Sequence, residues 1–443
     1  MMISVKNNPF SKVRIISFIF SLLYVLAFHW SYVKWTVPQW GYLGMSIDKN
    51  LSVGNLISCY FANLLPAIWL PIIIDRPSKL MYWYLYLLMY VPMVFTASLS
   101  LSNSFLIYIL LIGFGIMGIP YLFKVKKIKI KELKKRNFWV ILFIIIIIFV
   151  FFILLIFRNN LRFVNPFSSG EEVYDFRFEG SDIAQGTGVT YPVMILSGAL
   201  MPFVFIYGLV FKNKIAMLVS ISIIILLYMT AANKSFILLL PLILMNYFLL
   251  KENSLYFGIK LQAILLCFIL FFTTTQLYLD DEIKLILFVP ASLFLFRTVS
   301  VSSWTESLYV PFFENHPLTY YSHIGIVGKF IKYPYDKPLG VVIGMNNGGE
   351  ETSNFNANFF ITDGISAMGF GGVIVIAIIA AFLFWITDIV SAKHNIIFTS
   401  VLLTGVTVNL MNISLFTVLL SGGWSFLIIM LAFSSAFKNK SLK

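Results

Sequence analysis

Twelve stretches of this chain are long and apolar enough to cross a bilayer: 14–33, 53–74, 80–98, 104–123, 138–157, 189–211, 215–232, 235–250, 257–278, 366–388, 396–413 and 415–436. A hydrocarbon core of about 30 Å takes roughly 20 apolar residues in a helix. Lipid offers the backbone no hydrogen-bond partner, so a spanning segment must satisfy itself. The chain is therefore an all-α polytopic membrane protein: one membrane domain over 1–443, with about twelve transmembrane helices. Composition agrees. Charged residues make up 12% of the chain and hydrophobic ones 59%, where soluble domains carry about 25% charged.

The net charge of +13 would raise nucleic acid as a partner in a soluble protein. Here the basic residues lie mostly in short loops, as the positive-inside rule requires, and no nucleic acid is expected. The N-terminus carries Lys6, Lys12 and Arg14 before an apolar run. No small-residue cleavage site follows, since Phe28, His29 and Trp30 stand there, so it reads as an uncleaved first span. Cys59 and Cys267 are the two cysteines and both sit in apolar segments. They give no metal spacing and no evident disulfide.

The run from Lys124 to Arg136 is the strongest basic segment and reads as cytoplasmic. Arg76, Lys79, Lys212, Lys214, Lys251, Lys393 and the tail lysines 438, 440 and 443 agree with that side. Counting spans from there puts two polar loops outside, over 158–188 and 297–363. The count works only if the apolar piece 285–296, LILFVPASLFLF with Pro290 inside it, does not cross. It is expected to be a re-entrant half-span with both ends extracytoplasmic, leaving Arg297 at the lip of a cavity. The alternative is an ordinary thirteenth helix and a break miscounted near 232–235.

Polar chemistry is concentrated in those loops. In the first, Arg158 and Arg162 follow a span and suit headgroup snorkelling. Arg177 stands further out, in Tyr174-Asp-Phe-Arg177. Its planar fork suits a phosphate; a local salt bridge to Glu171, Glu172 or Asp175 is the plainer role. Lys234, in the break Ala231-Ala-Asn-Lys-Ser235, is either a functional cation between apolar helices or part of a helix cap. In the second loop, Trp304, Glu306, Tyr309, His316 and His323 follow Arg297. Residues 302–313 fit a helix that Pro317 stops. An aromatic belt accounts for some of the tyrosines but poorly for Glu306, His316 and His323. Asparagines 346, 347, 354, 356 and 358 come next. Asp363 then precedes Gly364, Gly369, Gly371 and Gly372; it suits an N-cap as well as a substrate contact, and the glycines allow close helix packing.

None of the usual soluble-enzyme motifs is present: no Walker A, dinucleotide fingerprint, HExxH or GxSxG. Three places carry a resemblance. EEVYDFR (171–177), NKS (233–235), and RTVSVSSWTESLYVPFFENHPLTYYS (297–322) followed by NANFFITDGISAMGFGGVIV (356–375) resemble, in order and spacing, the Wzy-type polymerases of O-antigen and capsule repeat units. The likeness covers roughly the second half of the chain. Where that family often has a Pro-Gly pair shortly after the Arg, this chain has Ser-Val-Ser-Ser.

The resemblance implies a GT-C-like membrane fold in the bacterial inner membrane, with the active site facing the periplasm or exterior. It implies a metal-independent glycosyltransferase without cofactors, acting on undecaprenyl-diphosphate-linked oligosaccharides in the lipid bilayer, with a chain-length regulator protein as a partner. Cations must then neutralise the departing diphosphate, and Arg177, Arg297 and Lys234 are the residues for it. Arg297 is thereby also catalytic. The acceptor hydroxyl needs a base: His316 first, with Glu306 and His323 next. Trp304, Tyr309, His323, Asn356 and Asp363 are expected to hold sugars. The rival readings are an O-antigen ligase-type transferase and a polysaccharide flippase or transporter. A transporter would call for charged residues within the spans and paired broken helices.

Overall fold

The structure is a computed structural model that describes residues 9–125, 130–165, 170–350 and 353–437. Lys6, Lys126, Lys127, Lys129, the tail lysines 438, 440 and 443, and the side chains of Glu171 and Tyr174 lie outside the described residues. Among the described residues the chain is helical, with no strand. Eleven helices among the described residues are long and apolar enough to cross a membrane. In chain order the helices are α1 (Phe10–Leu43), α2 (Val53–Ile68), α3 (Pro77–Leu99), α4 (Ser104–Leu122), α5 (Lys135–Phe157), α6 (Gly170–Ala184), α7 (Thr190–Phe211) and α8 (Lys214–Ala231). They continue as α9 (Lys234–Glu252), α10 (Phe257–Tyr278), α11 (Asp281–Asn315), α12 (Leu339–Asn346), α13 (Phe360–Ser391), α14 (Ile396–Leu410) and α15 (Leu415–Phe433). The expected spans fall on these helices. Two are shorter than expected: α2 ends in a tight 3₁₀ turn at Pro66, and α14 is interrupted at Leu403.

The bundle is built around α3, whose apolar window is buried on every side. Its tyrosines donate outward to neighbouring helices: Tyr84 to Asn246 Oδ1 at 2.7 Å, Tyr86 to the Asn63 carbonyl at 2.8 Å and Tyr90 to the Ala62 carbonyl at 2.7 Å. A buried phenol requires such a partner, and each bond fixes the height of one helix against the next.

The basic loops gather at one end. Arg76 donates to the carbonyls of Pro120 and Phe123 (3.3 and 3.1 Å), Leu133 N–H to Phe433 (2.9 Å), Ile74 N–H to Ser254 (3.3 Å) and Asn395 N–H to Phe437 (2.7 Å). Tyr207 and Phe211, at the end of α7, pack on Phe437. The loops expected to share a side are therefore at one end of the bundle, with α6 and residues 316–350 and 353–358 at the other.

Helix α11 departs from the plan in a specific way. It was expected as a short half-span over 285–296; it is one helix from Asp281 to Asn315. Its contacts nevertheless return it to the end where it started. Gln276 Nε2 bonds the Lys284 carbonyl at 3.0 Å, and Phe294 meets Phe268 and Phe272, so the first arm descends along α10. Ser302 Oγ then bonds the Leu88 carbonyl (2.9 Å) in the middle of α3, and Trp304 Nε1 bonds the Leu43 carbonyl (2.9 Å) at the end of α1. The descent from Asp281 to Phe294 is roughly 20 Å at 1.5 Å per residue. The reversal is a wide π-helical stretch, Ser292–Ser300. Thr298 and Ser300 hydroxyls bond the carbonyls five residues back, Leu293 (2.8 Å) and Leu295 (2.7 Å). Pro290, which cannot donate to residue 286, opens the ladder just before it. The dip is thus helical throughout, because at membrane depth an irregular backbone would leave its polar groups unmet. The large loop accordingly begins at His316, not Arg297.

A second dip follows. Residues 353–358 form no regular element and pass from exposed Asn354 and Asn356 to buried Ala357 and Asn358, and a helix restarts where Asn358 Oδ1 caps the N–H groups of Phe360 (3.0 Å) and Ile361 (3.3 Å). That helix rises to Met368 and Gly369, where φ/ψ of 61°/−150° at Gly369 turn the chain back down. Only glycine adopts this conformation cheaply. The two arms touch at a glycine seam: a Cβ on Gly372 would lie 2.1 Å from the Gly364 carbonyl oxygen. The close packing expected of these glycines is there, within one reversed helix.

Candidate functional site

The rising arms of the two dips pack side by side at the end away from the basic loops. Asn358 Nδ2 donates to the Ser302 carbonyl at 2.7 Å and ties them together at depth. Above this bond each arm presents one buried carboxylate.

Asp363 is fully buried and fully bonded. It accepts from Ser414 Oγ (2.7 Å, on Oδ1), from the Leu415 backbone N–H (2.6 Å, on Oδ2) and from His323 Nε2 (3.1 Å, on Oδ1). An N-cap was one of its expected roles. It does cap a helix, but the start of α15 rather than its own, which Asn358 serves. A carboxylate at a helix N-terminus is stabilised by roughly 0.3–1 kcal/mol. With Nε2 facing a carboxylate, the His323 imidazole turns Nδ1 to Thr319 Oγ1, 2.9 Å away. Thr319 and Tyr320 are fixed in turn by N–H bonds to the Ser366 and Ala367 carbonyls (2.8 and 3.1 Å), which close the second dip. The turn after them is strained: Tyr320 and Tyr321 have φ of 47° and 63°, a region that costs other residues than glycine about 1–3 kcal/mol. It swings His323 over Asp363. The Tyr321 hydroxyl has no hydrogen-bond partner, and burial, reinforced by the negative Asp363, pushes its phenol up to about 12.

Glu306 is 0% exposed, and neither carboxylate oxygen has a hydrogen-bond partner. It faces Tyr32, whose hydroxyl lies 3.2 Å from Ser100 Oγ. Tyr309, one turn along the helix from Glu306, has Thr362 and Asp363 among its neighbours. Burying an unpaired carboxylate costs several kcal/mol, which no contact of Glu306 offsets.

The other residues singled out in the sequence fall into three groups. Trp304 and Tyr309 were expected to hold sugars; both are buried, and their polar edges are used by the Leu43 and Phe355 carbonyls (2.9 Å each). Trp304 packs on Phe296 and Phe355, and Tyr309 on Phe313. They fill the joint between α11 and its neighbours, because carbonyls left open at chain ends need donors there. His316 was expected as the base; it is the C-cap of α11, with Nδ1 bonded to the Phe312 carbonyl at 2.8 Å and its ring stacked on Phe312 at 3.9 Å. Asn356 is exposed at the mouth, its amide oxygen over Gly340 at the start of α12.

The cations sit in two places. Arg177 lies on α6, which the short polar loop was not expected to form; it packs on the end of α8. A Cβ on Gly180 would lie 2.5 Å from the Thr230 carbonyl oxygen, and Arg177 acts electrostatically on Tyr228. Lys234 begins α9 beside that contact, behind the Asn233 cap. Arg297 instead lies at the bottom of the first dip, on an exposed flank beside Phe296. The chain thus groups Arg177 with Lys234 and sets Arg297 in a different helix group. Arg162 pairs with Glu179 at 3.0 Å and lies over Phe176. Sequence reasoning missed Thr319, Tyr321 and Ser414. The one available signal was the pair Tyr320-Tyr321 beside His323.

Fold and site together define a class: an all-α, multi-pass membrane protein with a buried polar centre between two helical dips at one end. Compared with family models, with curated proteins and with solved structures, the chain matches none.

Proposed function

We propose that this protein is a metal-independent membrane glycosyltransferase of the bacterial inner membrane. It polymerises undecaprenyl-diphosphate-linked oligosaccharide repeat units into a surface polysaccharide, O-antigen or capsule, at the extracytoplasmic face. The observation that carries the reading is the pair His323–Asp363, an imidazole oriented by a buried carboxylate at 3.1 Å. The basic character of the opposite end supports an extracytoplasmic position for it.

In this reaction a sugar hydroxyl of the incoming unit attacks C1 of the first sugar of the growing chain. The new glycosidic bond forms as the C1–O bond to the diphosphate breaks, and undecaprenyl diphosphate leaves with the electron pair. The hydroxyl proton passes to Thr319 Oγ1 as that hydroxyl gives its own proton to His323 Nδ1, 2.9 Å away, and Asp363, bonded to Nε2, stabilises the imidazolium, as a carboxylate does in acid–base triads. This moves the base from His316, whose Nδ1 is bonded to the Phe312 carbonyl rather than to a carboxylate. Glu306 and Tyr321 are buried with acceptor and donor capacity unmet, and they bind sugar hydroxyls only where the centre opens to a repeat unit. Arg177 and Lys234 neutralise the diphosphate, and Arg297 guides the isoprenoid-borne charge from the dip.

A second reading draws on the dips themselves. Two reversed helices with buried acids, one starting on a cap at depth, are features of transporters. One experiment separates the readings. The purified protein is reconstituted with lipid-diphosphate-linked repeats from its host. A ladder of multiples of the repeat supports the polymerase. Movement of labelled repeats across the vesicle without a ladder supports transport, and transfer of finished glycan to another acceptor only supports a ligase.

A further inference from the structure

At the basic end two clefts share Lys124. One is an apolar groove of about 630 Å³ between α4 and α13, lined by Ile116, Phe123, Ile378, Phe382 and Trp385 among others. Ile378 and Phe382 are each 55% exposed, so the groove opens sideways, toward lipid. The other is a polar pocket of about 560 Å³ that includes Asp75, Arg76, Asp388, Ser391 and His394. Arg76 joins the two: its Nη1 bonds the carbonyls of Pro120 and Phe123, both of which line the groove.

The lining of the pocket has paired charge. Arg76 and Lys124 are cations; Asp75 and Asp388 are carboxylates, and Arg76 Nη1 stands 4.0 Å from Asp388 Oδ2 as an ion pair. Asp75 bonds Arg76 (3.2 Å) and Lys79 (2.8 Å), and Asp388 accepts from Ser78 N–H (3.1 Å) and Oγ (2.6 Å), so each oxygen retains a lone pair for a further donor. Ser391 Oγ, in a residue only 3% exposed, has no hydrogen-bond partner. A simple anion would meet two carboxylates here, and a simple cation two basic groups. A headgroup carrying both a phosphate and a primary ammonium satisfies both. A quaternary choline has no N–H to give and does not.

We propose that this joined cleft is a site for one ethanolamine glycerophospholipid. An acyl chain lies in the α4–α13 groove, the phosphate is held by Arg76 and Lys124, and the ammonium by Asp75, Asp388 and Ser391. The site is at the end of the bundle opposite the polar centre and owes nothing to the glycosyltransferase reading.

The test is retention of lipid by the full-length protein, purified from nanodiscs of equal phosphatidylethanolamine, phosphatidylglycerol and phosphatidylcholine and read by native mass spectrometry. One phosphatidylethanolamine is expected to be retained at least tenfold over either other lipid. Ala381→Trp, which fills the groove, and Lys124→Glu are each expected to reduce it about tenfold. Asp75→Asn is expected to shift the preference toward phosphatidylglycerol, which a merely structural Asp75 would not do. Equal retention of the three lipids overturns the proposal, as does a preference that all three variants leave unchanged. Soluble phosphoethanolamine is the further arm: binding as tight as the lipid's, and indifferent to Ala381→Trp, would make this a free-metabolite pocket and not a lipid site.

Discussion

The side-chain amide of Asn358 donates to the backbone carbonyl of Ser302 at 2.7 Å, while its oxygen caps the helix that begins at Phe360. One residue therefore starts one dipping helix and fastens it to the other. Both dips carry the polar centre on their rising arms, so the relative height of Glu306 and Asp363 is set by this bond.

Asn358→Leu removes the donor and the cap together. Leaving buried partners unmet costs about 1–3 kcal/mol. A lower thermal midpoint in detergent is expected, with Asn358→Asp, which keeps the cap, between wild type and Leu. An unchanged midpoint for Leu would contradict the joint.

His323→Ala and Asp363→Asn act on one unit. Each is expected to lower the polymerisation rate by roughly 10²–10⁴, and the double variant to be little worse than either alone. Rates per protein molecule in reconstituted vesicles check this. Additive losses would mean that the two side chains work separately.

Glu306 separates stability from function. Replacement by Leu removes an unpaired buried carboxylate and is expected to leave the thermal midpoint equal or higher, while polymer formation is lost. Glu306→Gln is expected to fold normally and to be impaired as well. A Leu variant that unfolds would show that Glu306 has a structural partner.

His394 gives a pH dependence at the basic end. Its Nε2 donates to the Leu431 carbonyl (2.8 Å) and its Nδ1 accepts from Phe437 N–H (3.1 Å), so the neutral ring is the form built in. Burial lowers its pKa to about 4, and neighbouring Lys393 adds to this while Glu132 opposes it. Above about 6.5 the ring is neutral in both folded and unfolded states and pH has no effect through it. Between about 6.5 and 4 only the unfolded chain takes the proton, so stability falls with falling pH, by roughly 3 kcal/mol in all. His394→Gln should flatten the thermal midpoint over that window; an unflattened profile would assign the acid sensitivity elsewhere.

Arg177 and Lys234 share the α6–α8–α9 corner. Arg177→Ala is expected to raise KM for the lipid-linked donor at least tenfold, and Arg177→Lys to recover only part, since a point charge replaces a bidentate fork. Equal KM values for wild type and Arg177→Ala would remove this corner from the diphosphate.

Much of the fold was legible because lipid imposes one rule on every span. Segment lengths and basic loops sufficed for the crossings, and the topology count alone required 285–296 to turn back. The form of that turn was not legible. A nine-residue π-helical bend at Ser292–Ser300 depends on Thr298 and Ser300 reaching carbonyls five residues back, and hydropathy is blind to it. The second dip was hidden for a related reason: Asn358 reads as one more loop asparagine until the chain around it is buried. At the site, the sequence singles out both His323 and Asp363, but forty residues separate them and nothing local announces the bond. In the structure Trp304, Tyr309 and His316 bond open carbonyls, a use that sequence alone does not separate from holding a sugar or taking a proton.

The most direct measurement is the product ladder formed from undecaprenyl-diphosphate-linked repeats by purified wild-type protein and by His323→Ala at matched amounts in the same vesicles. Wild type is predicted to build multiples of the repeat, and His323→Ala to leave the single repeat unextended while remaining folded. A ladder of equal length and yield from both proteins, or none from wild type with its cognate repeat, would contradict a polymerase centred on the His323–Asp363 pair.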